Sequence, residues 1–290
     1  VRALDAPAVN EAYVAMFRAT RSLFSGDGAR GLVRQDRNAR THLLLSELFW
    51  TIAWYHTCEP EDYARVTRRM LNILTDGIAA PGVGWPVAPL PPLVAETAAG
   101  DGSSELFLRA ATELINEEGY LGASVEKISA RLNVTKGAFY HHNETKDELV
   151  VACFERTFEV MRRAIRMAEA TCSTGLEVLA SVSAALVEYQ LAGNAPLLRT
   201  SALTSAPEAL QPELLAKFGR ISDRFASLIS DGIADGSLRP VDVNVAAQMI
   251  TGMINAAVEL HYWTPGVDAK NAASLYVRPF FEGLLSPSRA

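Results

Sequence analysis

Apolar residues recur along this chain at steps of three and four, the spacing of one face of an α-helix. Phe154, Phe158, Met161 and Ile165 make one such stripe, on a long helix starting near Lys146. Leu179, Val182, Leu186 and Tyr189 make the next. Leu214, Ile221, Phe225, Leu228 and Ile229 mark a third helix, ended by Gly232 and Gly236. No segment alternates as a half-buried strand would, so the predicted fold class is all-α.

The pattern is interrupted once, between residues 81 and 103, where five of the fourteen prolines fall. Proline at that density blocks helix and favours extended geometry, so this is a linker, semi-rigid at first and flexible near Gly100–Ser104. The linker (81–102) divides an N-terminal part (1–80) from the remainder.

Composition narrows the class. With 49% hydrophobic and 21% charged residues, the chain suits a soluble globular protein with a substantial core. A net charge of −6 gives no general pull toward nucleic acid or membrane, so any DNA affinity must be local. Cys58, Cys153 and Cys172 lack metal-site spacing and read as free thiols. No apolar run is long enough to span a bilayer, and the N-terminus lacks a signal peptide's apolar core, so a cytoplasmic location without membrane contact is expected.

The most informative stretch is 122–149. Ser124 is a good N-cap, and Val125, Ile128 and Leu132 follow on one helical face. Asn133-Val134 breaks the pattern, with asparagine able to take the left-handed turn conformation. Thr135 is a second N-cap, and the short helix behind it would present Lys136, Gly137, Tyr140 and His141 on its outer side. That is a helix-turn-helix, the arrangement that sets the start of a second helix into the DNA major groove. Thr135 and the free N–H groups behind it suit a phosphate, Gly137 lets the backbone approach closely, and Lys136 is the direct base reader expected.

Ser103–Leu149 resembles the DNA-binding domain of the tetracycline-repressor (TetR) family of transcriptional regulators. The resemblance rests on Ala110-Ala111, Gly119-Tyr120, Ser124-Val125, Ile128, Val134-Thr135-Lys136-Gly137, Tyr140, His142, Lys146 and Leu149. It implies that Tyr140 and Lys146 hold phosphates, that 103–149 is the DNA-binding domain, and that 150–290 is the effector-binding and dimerisation domain. His142 reads as a structural histidine between helices. Asn143 stands where the family prefers Phe.

Charge tempers this reading. Residues 101–150 hold five basic and nine acidic side chains, so binding that falls quickly with salt is expected. The alternative is a ligand-binding or dimerisation module with a degenerate helix-turn-helix, acting by sequestering an effector or partner.

The two ends of the chain resemble each other. Asp36-Arg37-Asn38 matches Asp242-Val243-Asn244, 206 positions later. At that offset Leu43-Leu44 falls on Met249-Ile250, Leu48 on Ile254, Ile52 on Val258, Gly77 on Gly283 and Pro81 on Pro287. Residues 36–81 and 242–287 therefore read as two copies of one helix pair, each beginning after Asp-x-Asn. In the TetR family such a pair forms the dimer interface, a four-helix bundle. The chain thus resembles two regulators in tandem, the first reduced to part of its effector domain, with its helix-turn-helix expected upstream of Val1. The pair 38–80 should pack on 244–285 as a pseudo-dimer within one chain, with Trp50, Trp54, Met249 and Met253 at the seam; the competing arrangement is a homodimer through 244–285.

For the effector, the resemblance implies a small apolar or aromatic molecule, with Phe154, Phe158, Met161, Tyr189 and Leu203 as candidate pocket lining and Tyr189 as the polar contact. No cofactor is implied. Enzymatic motifs are lacking: there is no Gly-x-Ser-x-Gly, no phosphate-binding glycine loop and no His-Glu-x-x-His. His42, His56 and Cys58 lack ligand spacing and read as surface or interface residues.

Overall fold

A computed structural model describes residues 7–26, 29, 31–93, 102–137, 145–192, 196–199, 202, 206 and 208–286, with the side chains of 102–104 excepted. Among these residues the structure is helical, with one isolated antiparallel bridge between Ala79 and Leu238. The helices are α1 (Pro7–Ser22), α2 (Arg34–Trp54), α3 (Tyr63–Asp76), α4 (Gly102–Gly122), α5 (Val125–Arg131), α6 (Lys146–Thr171), α7 (Gly175–Leu191), α8 (Gln211–Ala234), α9 (Val243–Ala256), α10 (Leu260–Trp263) and α11 (Arg278–Glu282). A π-helical turn, Ala273–Val277, leads into α11.

Each apolar stripe buries as its spacing requires. Helix α6 starts at a capping box in which Glu148 N–H donates to Thr145 Oγ1 (3.1 Å) and Thr145 N–H to Glu148 Oε2 (3.3 Å). It turns Phe154, Phe158, Met161 and Ile165 into the core. Helix α7 is capped by Thr174 and is apolar around most of its circumference, as befits a central helix packed against α6, α8 and the π-helical turn.

Helix α8 runs through Gly232, one of its expected terminators, and stops at Ala234; the turn is made at Gly236, where φ is +79°. Gly232 is needed for packing instead. A Cβ on Gly175 would lie 2.4 Å from the backbone of Gly232, and one on Gly232 would lie 2.6 Å from Leu238 Cδ1. Two glycines let α7 and α8 cross at backbone contact.

Helices α2 and α3 do not stand apart from the rest. They pack on α9, α10, the π-helical turn and α11. At an offset of 206, α3 overlies the π-helical turn with α11, α2 overlies α9 with the turn after it, and α1 falls within α8. The expectation that both copies begin after Asp-x-Asn is two residues late for α9, which starts at Val243 directly behind its cap Asp242, whose Oδ1 accepts from Val245 N–H at 2.9 Å. It fails for α2, which starts earlier, at Arg34, because Asp36 reaches back to cap Val33 N–H at 3.0 Å.

Contacts across this seam are reciprocal. Gly77 (φ +68°) lies so close to Phe281 that a Cβ would sit 2.1 Å from its carbonyl oxygen. Its counterpart Gly283 (φ +96°) would bring a Cβ within 2.3 Å of the carbonyl of Thr75, the counterpart of Phe281. Ile78 N–H and Ala79 N–H both donate to Phe281 O (2.9 Å each), and Leu284 N–H donates to Leu74 O (2.8 Å).

The described part of the linker, 81–93, opens with a turn at Pro81-Gly82 and continues without regular structure, laid down on the body rather than free. Trp85 packs on Phe281 with ring centroids 5.4 Å apart, Ala88 N–H donates to Ser181 Oγ at 2.9 Å, and Leu93 is buried.

Candidate nucleic-acid interface

The helix-turn-helix begins where α4 ends. Gly119, at φ +75°, bends the chain and leaves Tyr120 facing α6. Ser124 then caps α5, accepting Lys127 N–H at 3.3 Å. Asn133 takes φ +55°, the left-handed turn its residue type allows, and Val134 N–H closes the turn on Ser129 O at 3.0 Å. Helix resumes at Lys136-Gly137. Among the described residues a Cβ on Gly137 would meet Thr135 Oγ1 alone, at 3.6 Å, an ordinary contact. Tyr140, His141, His142 and Asn143 lie outside the described residues, as does Leu203.

Several acids of this region are paired with its own bases. Arg131 pairs with Glu117 at 2.7 Å and with Glu113 at 3.5 Å, while Lys127 pairs with Glu118. Lys136 pairs with Glu126, and that hydrogen bond holds the Glu126 carboxyl down at about 2. Three of the nine acids thus form a row on α4 that binds α5, which explains much of the local excess without setting it against DNA. Lys136 and Glu126 are both exposed, so their pair is open to exchange.

Lys146 faces inward. Its ammonium donates to Tyr120 O and lies 4.0 Å from the centre of the Tyr120 ring, and burial lowers its pKa. Tyr120 in turn donates to Asp147, and burial with that carboxylate pushes its hydroxyl up to about 12. In this structure Lys146 is thus a fastener of the α4–α6 joint.

Behind the interface, a polar junction ties α4 to the body. Arg156 on α6, with only 5% of its side chain exposed, donates to Glu105 of α4 (2.9 Å), Tyr189 of α7 (2.8 Å) and Pro196 O (3.2 Å). Asn116 of α4 grips the same loop from the other side: its Nδ2 donates to Leu197 O at 2.9 Å, and its Oδ1 accepts Arg199 N–H at 2.9 Å. Arg199 continues to Glu259 at 3.0 Å. Neither Arg156 nor Asn116 stood out in the sequence. The available signal was a charged residue inside the buried arc of α6, between Cys153 and Val160.

The four described residues expected to touch an effector do not share a cavity. Phe154, Phe158 and Met161 are buried in closed packing, with Phe158 edge-on to Phe218 at 5.6 Å. Tyr189 is half-buried and spends its hydroxyl on Arg156. Open space lies on the opposite side of α6, in a cleft of about 1170 Å³. Its lining includes Leu93, Leu108, Val151, Val160, Met167 and Leu210 together with Glu105, Arg156, Glu159, Arg162 and Arg166. The cleft therefore borders the Arg156–Glu105 link itself.

At the seam, Trp50 lies against Gly252, where a Cβ would come within 2.7 Å of its ring. Met249 and Met253 are fully buried. Trp54 borders a smaller cavity of about 440 Å³ with Asp242, Val245 and Gln248. His42, also fully buried, bonds Ala256 O at 3.0 Å, which makes it an interface residue. Among the described residues no cluster of His, Cys, Asp and Glu is placed to hold a metal, and no helix is long and apolar enough to cross a membrane.

Comparison with known proteins falls on the same segments. Residues 107–153 match the family model described as bacterial regulatory proteins, tetR family, and residues 173–263 match a tetracyclin repressor-like C-terminal domain. The transposon Tn10 TetC protein of Escherichia coli is 26% identical over 146 residues, covering 50% of this chain and 73% of that protein. The HTH-type transcriptional repressor DhaR of Mycobacterium sp. (strain GP1) is 29% identical over 131 residues, covering 44% of this chain and 66% of that protein. Among solved structures, AibR in complex with isovaleryl coenzyme A and operator DNA superimposes with a TM-score of 0.52 at 20% identity. The match covers 62% of this chain and 98% of AibR. The ketosteroid regulator KstR2 of Mycobacterium tuberculosis gives 0.52 at 18% identity, over 62% of this chain and 94% of that one. At these identities the likeness is one of fold.

Proposed function

We infer that this chain is a TetR-family transcriptional regulator, whose grip on operator DNA is set by a small-molecule effector. The carrying observation is the helix-turn-helix of 125–137: a capped α5, a left-handed Asn133 and a helix restarting at Lys136, in the segment matched by the family model. It is not an enzyme; its chemistry is recognition.

For the DNA contact, Lys136 exchanges Glu126 for a base edge or phosphate as the duplex arrives. Thr135 and Gly137 share that surface and Ser124 borders it, while the contacts expected of Tyr140 and His141 rest on the sequence alone. Lys146 acts at the joint with Tyr120, its reach to a phosphate depending on release from that ring.

For the effector, the cleft along α6 offers room and an apolar wall beside the Arg156–Glu105 link. A ligand favouring one spacing of α4 and α6 would shift the helix-turn-helix relative to the body through Arg156 and Asn116. AibR is a structural relative whose complex holds isovaleryl coenzyme A; the molecule proposed here is apolar or aromatic in part.

The N-terminal helices are read as part of the effector domain of a first regulator, joined by the linker to a second, with α2 and α3 serving as pseudo-dimer partner to α9 and α11. Reciprocal glycine contacts at Gly77 and Gly283 support this, as does the match of a whole regulator to only 62% of the chain. The test of the main reading is fluorescence anisotropy with DNA flanking the protein's own gene. Binding lost in both Lys136→Ala and Tyr140→Ala supports it; binding unchanged in both refutes it.

A further inference from the structure

We propose that the cavity of about 440 Å³ beside Trp54, where α2 meets α8 and α9, is a second binding site, and that it takes a small organic amine. It shares no lining residue with the cleft along α6, and it stands independently of the DNA-binding reading. The two ends of the seam show why the space is there. At one end, Trp263, the last residue of α10, packs on Tyr13 and Phe17 of α1, with ring centroids 4.7 and 4.8 Å away. At the other end, the counterparts 206 positions away are Thr57 for Trp263, Gly219 for Tyr13 and Asp223 for Phe17. Three rings give way to a hydroxyl, a hydrogen atom and a carboxylate.

The start of the seam helix is therefore covered at one end and open at the other. Asn38 and His42 of α2 are buried, whereas their counterparts on α9, Asn244 and Gln248, are exposed and half-buried and line the cavity. A Cβ on Gly219 would have no described atom within 4 Å. Trimming the rings alone would leave an apolar hollow. Here Thr57 and Asp223 line the space instead, so the wall offers polar groups to a ligand beside the apolar surface of Trp54, Val66 and Val245.

Charge selects the ligand. Four carboxylates and two guanidinium groups line the cavity. Arg65 is matched to Asp62 at 2.6 Å and Arg69 to Asp242. Glu59 and Asp223 remain, both exposed and with no cation in ion-pair distance among the described residues. An anion entering here meets surplus negative charge, while an ammonium group gains two partners. The wall also holds Trp54, 6% exposed, whose Nε1–H has no acceptor among the described residues. A buried donor is costly to leave unpaired, and an oxygen on the bound molecule would satisfy it. The indole supplies the apolar face on which the body of the amine rests.

Calorimetric titration of the whole chain with tyramine tests this, with para-hydroxyphenylacetate as a probe of similar shape and opposite charge. Tyramine should bind saturably at about millimolar concentration, and the acid should not bind. Tyramine should also shift the Trp54 Nε1–H resonance, identified by its loss in Trp54→Phe. Asp223→Asn combined with Glu59→Gln should weaken binding about threefold to tenfold. Thr57→Trp, which restores the ring found at the covered end, should abolish it in a chain that keeps its helical circular dichroism; if that variant does not fold, the carboxamide pair decides. No tyramine binding by the folded chain, equal binding of the acid, a Trp54 resonance that stays in place, or affinity unchanged by the carboxamide pair would each overturn the proposal.

Discussion

Replacing Arg156 by Met separates the junction from simple packing. The methionine keeps an apolar stem of similar length but removes the donors to Glu105, Tyr189 and Pro196 O. Glu105, 13% exposed, is left with Arg109 at 2.8 Å as its remaining cation. Truncating one member of a buried ion pair costs about 3–5 kcal/mol, and the surviving Arg109 pair should recover some of that, leaving roughly 2–3 kcal/mol. At roughly 2–4 °C per kcal/mol for a chain of this size, Tm should fall by about 5–10 °C. Urea unfolding of the wild type, Arg156→Met, Glu105→Gln and the double variant gives the coupling directly. The double variant should lose clearly less than the sum of the singles, and amide exchange in α4 should quicken in both singles. Strict additivity, or a cost for Arg156→Met under about 0.5 kcal/mol, would show that the junction holds nothing and that α4 is coupled to the body elsewhere.

Three further perturbations probe other parts of the account. Glu47 is fully buried and its carboxyl oxygens have no hydrogen-bond partner, so burial raises its pKa well above the ordinary carboxylate range and it folds protonated. The unfolded chain ionises first, so stability should fall as pH rises above the ordinary carboxylate range of about 4; Glu47→Met, the residue at its counterpart Met253, should flatten that slope and add about 1–3 kcal/mol at neutral pH. An unchanged pH profile would contradict it. Gly175→Ala meets main chain and should cost about 1–3 kcal/mol, and Gly232→Ala meets the buried Leu238 side chain at Cγ and Cδ1 and should also destabilise, by less because it gains helix propensity; calorimetry showing no loss in either variant would remove the argument. Glu126→Gln frees Lys136 and removes a charge facing DNA, so affinity at low salt should rise roughly threefold to tenfold; a fall would mean that Glu126 positions Lys136 for binding.

Periodicity made the helices legible because burial of one face is a local property: the stripes of α6, α7 and α8 lie where their spacing puts them. Ser124 and Asn133 were legible for the same reason, since caps and left-handed turns are decided within four residues. What escaped depends on distant partners. Gly232 looks like a terminator until Gly175 is laid against it. Lys146 looks like a surface base until Tyr120 is folded over it. Phe154 and Phe158 suit a pocket or a core equally well, and only the placement of α8, which brings Phe218 to Phe158, distinguishes them. Asn116 meets the 196–199 loop some 80 positions away, and no spacing rule within a helix anticipates that.

The salt dependence of DNA affinity tests the regulator reading most directly. On a selected duplex, log K should fall linearly with log salt, with a slope of several phosphates' worth of released counterions, and Lys136→Ala should reduce that slope by about one while weakening binding. A flat salt response, or a slope and affinity identical in wild type and Lys136→Ala, would contradict the assignment of 125–137 and its following residues as the surface that grips DNA.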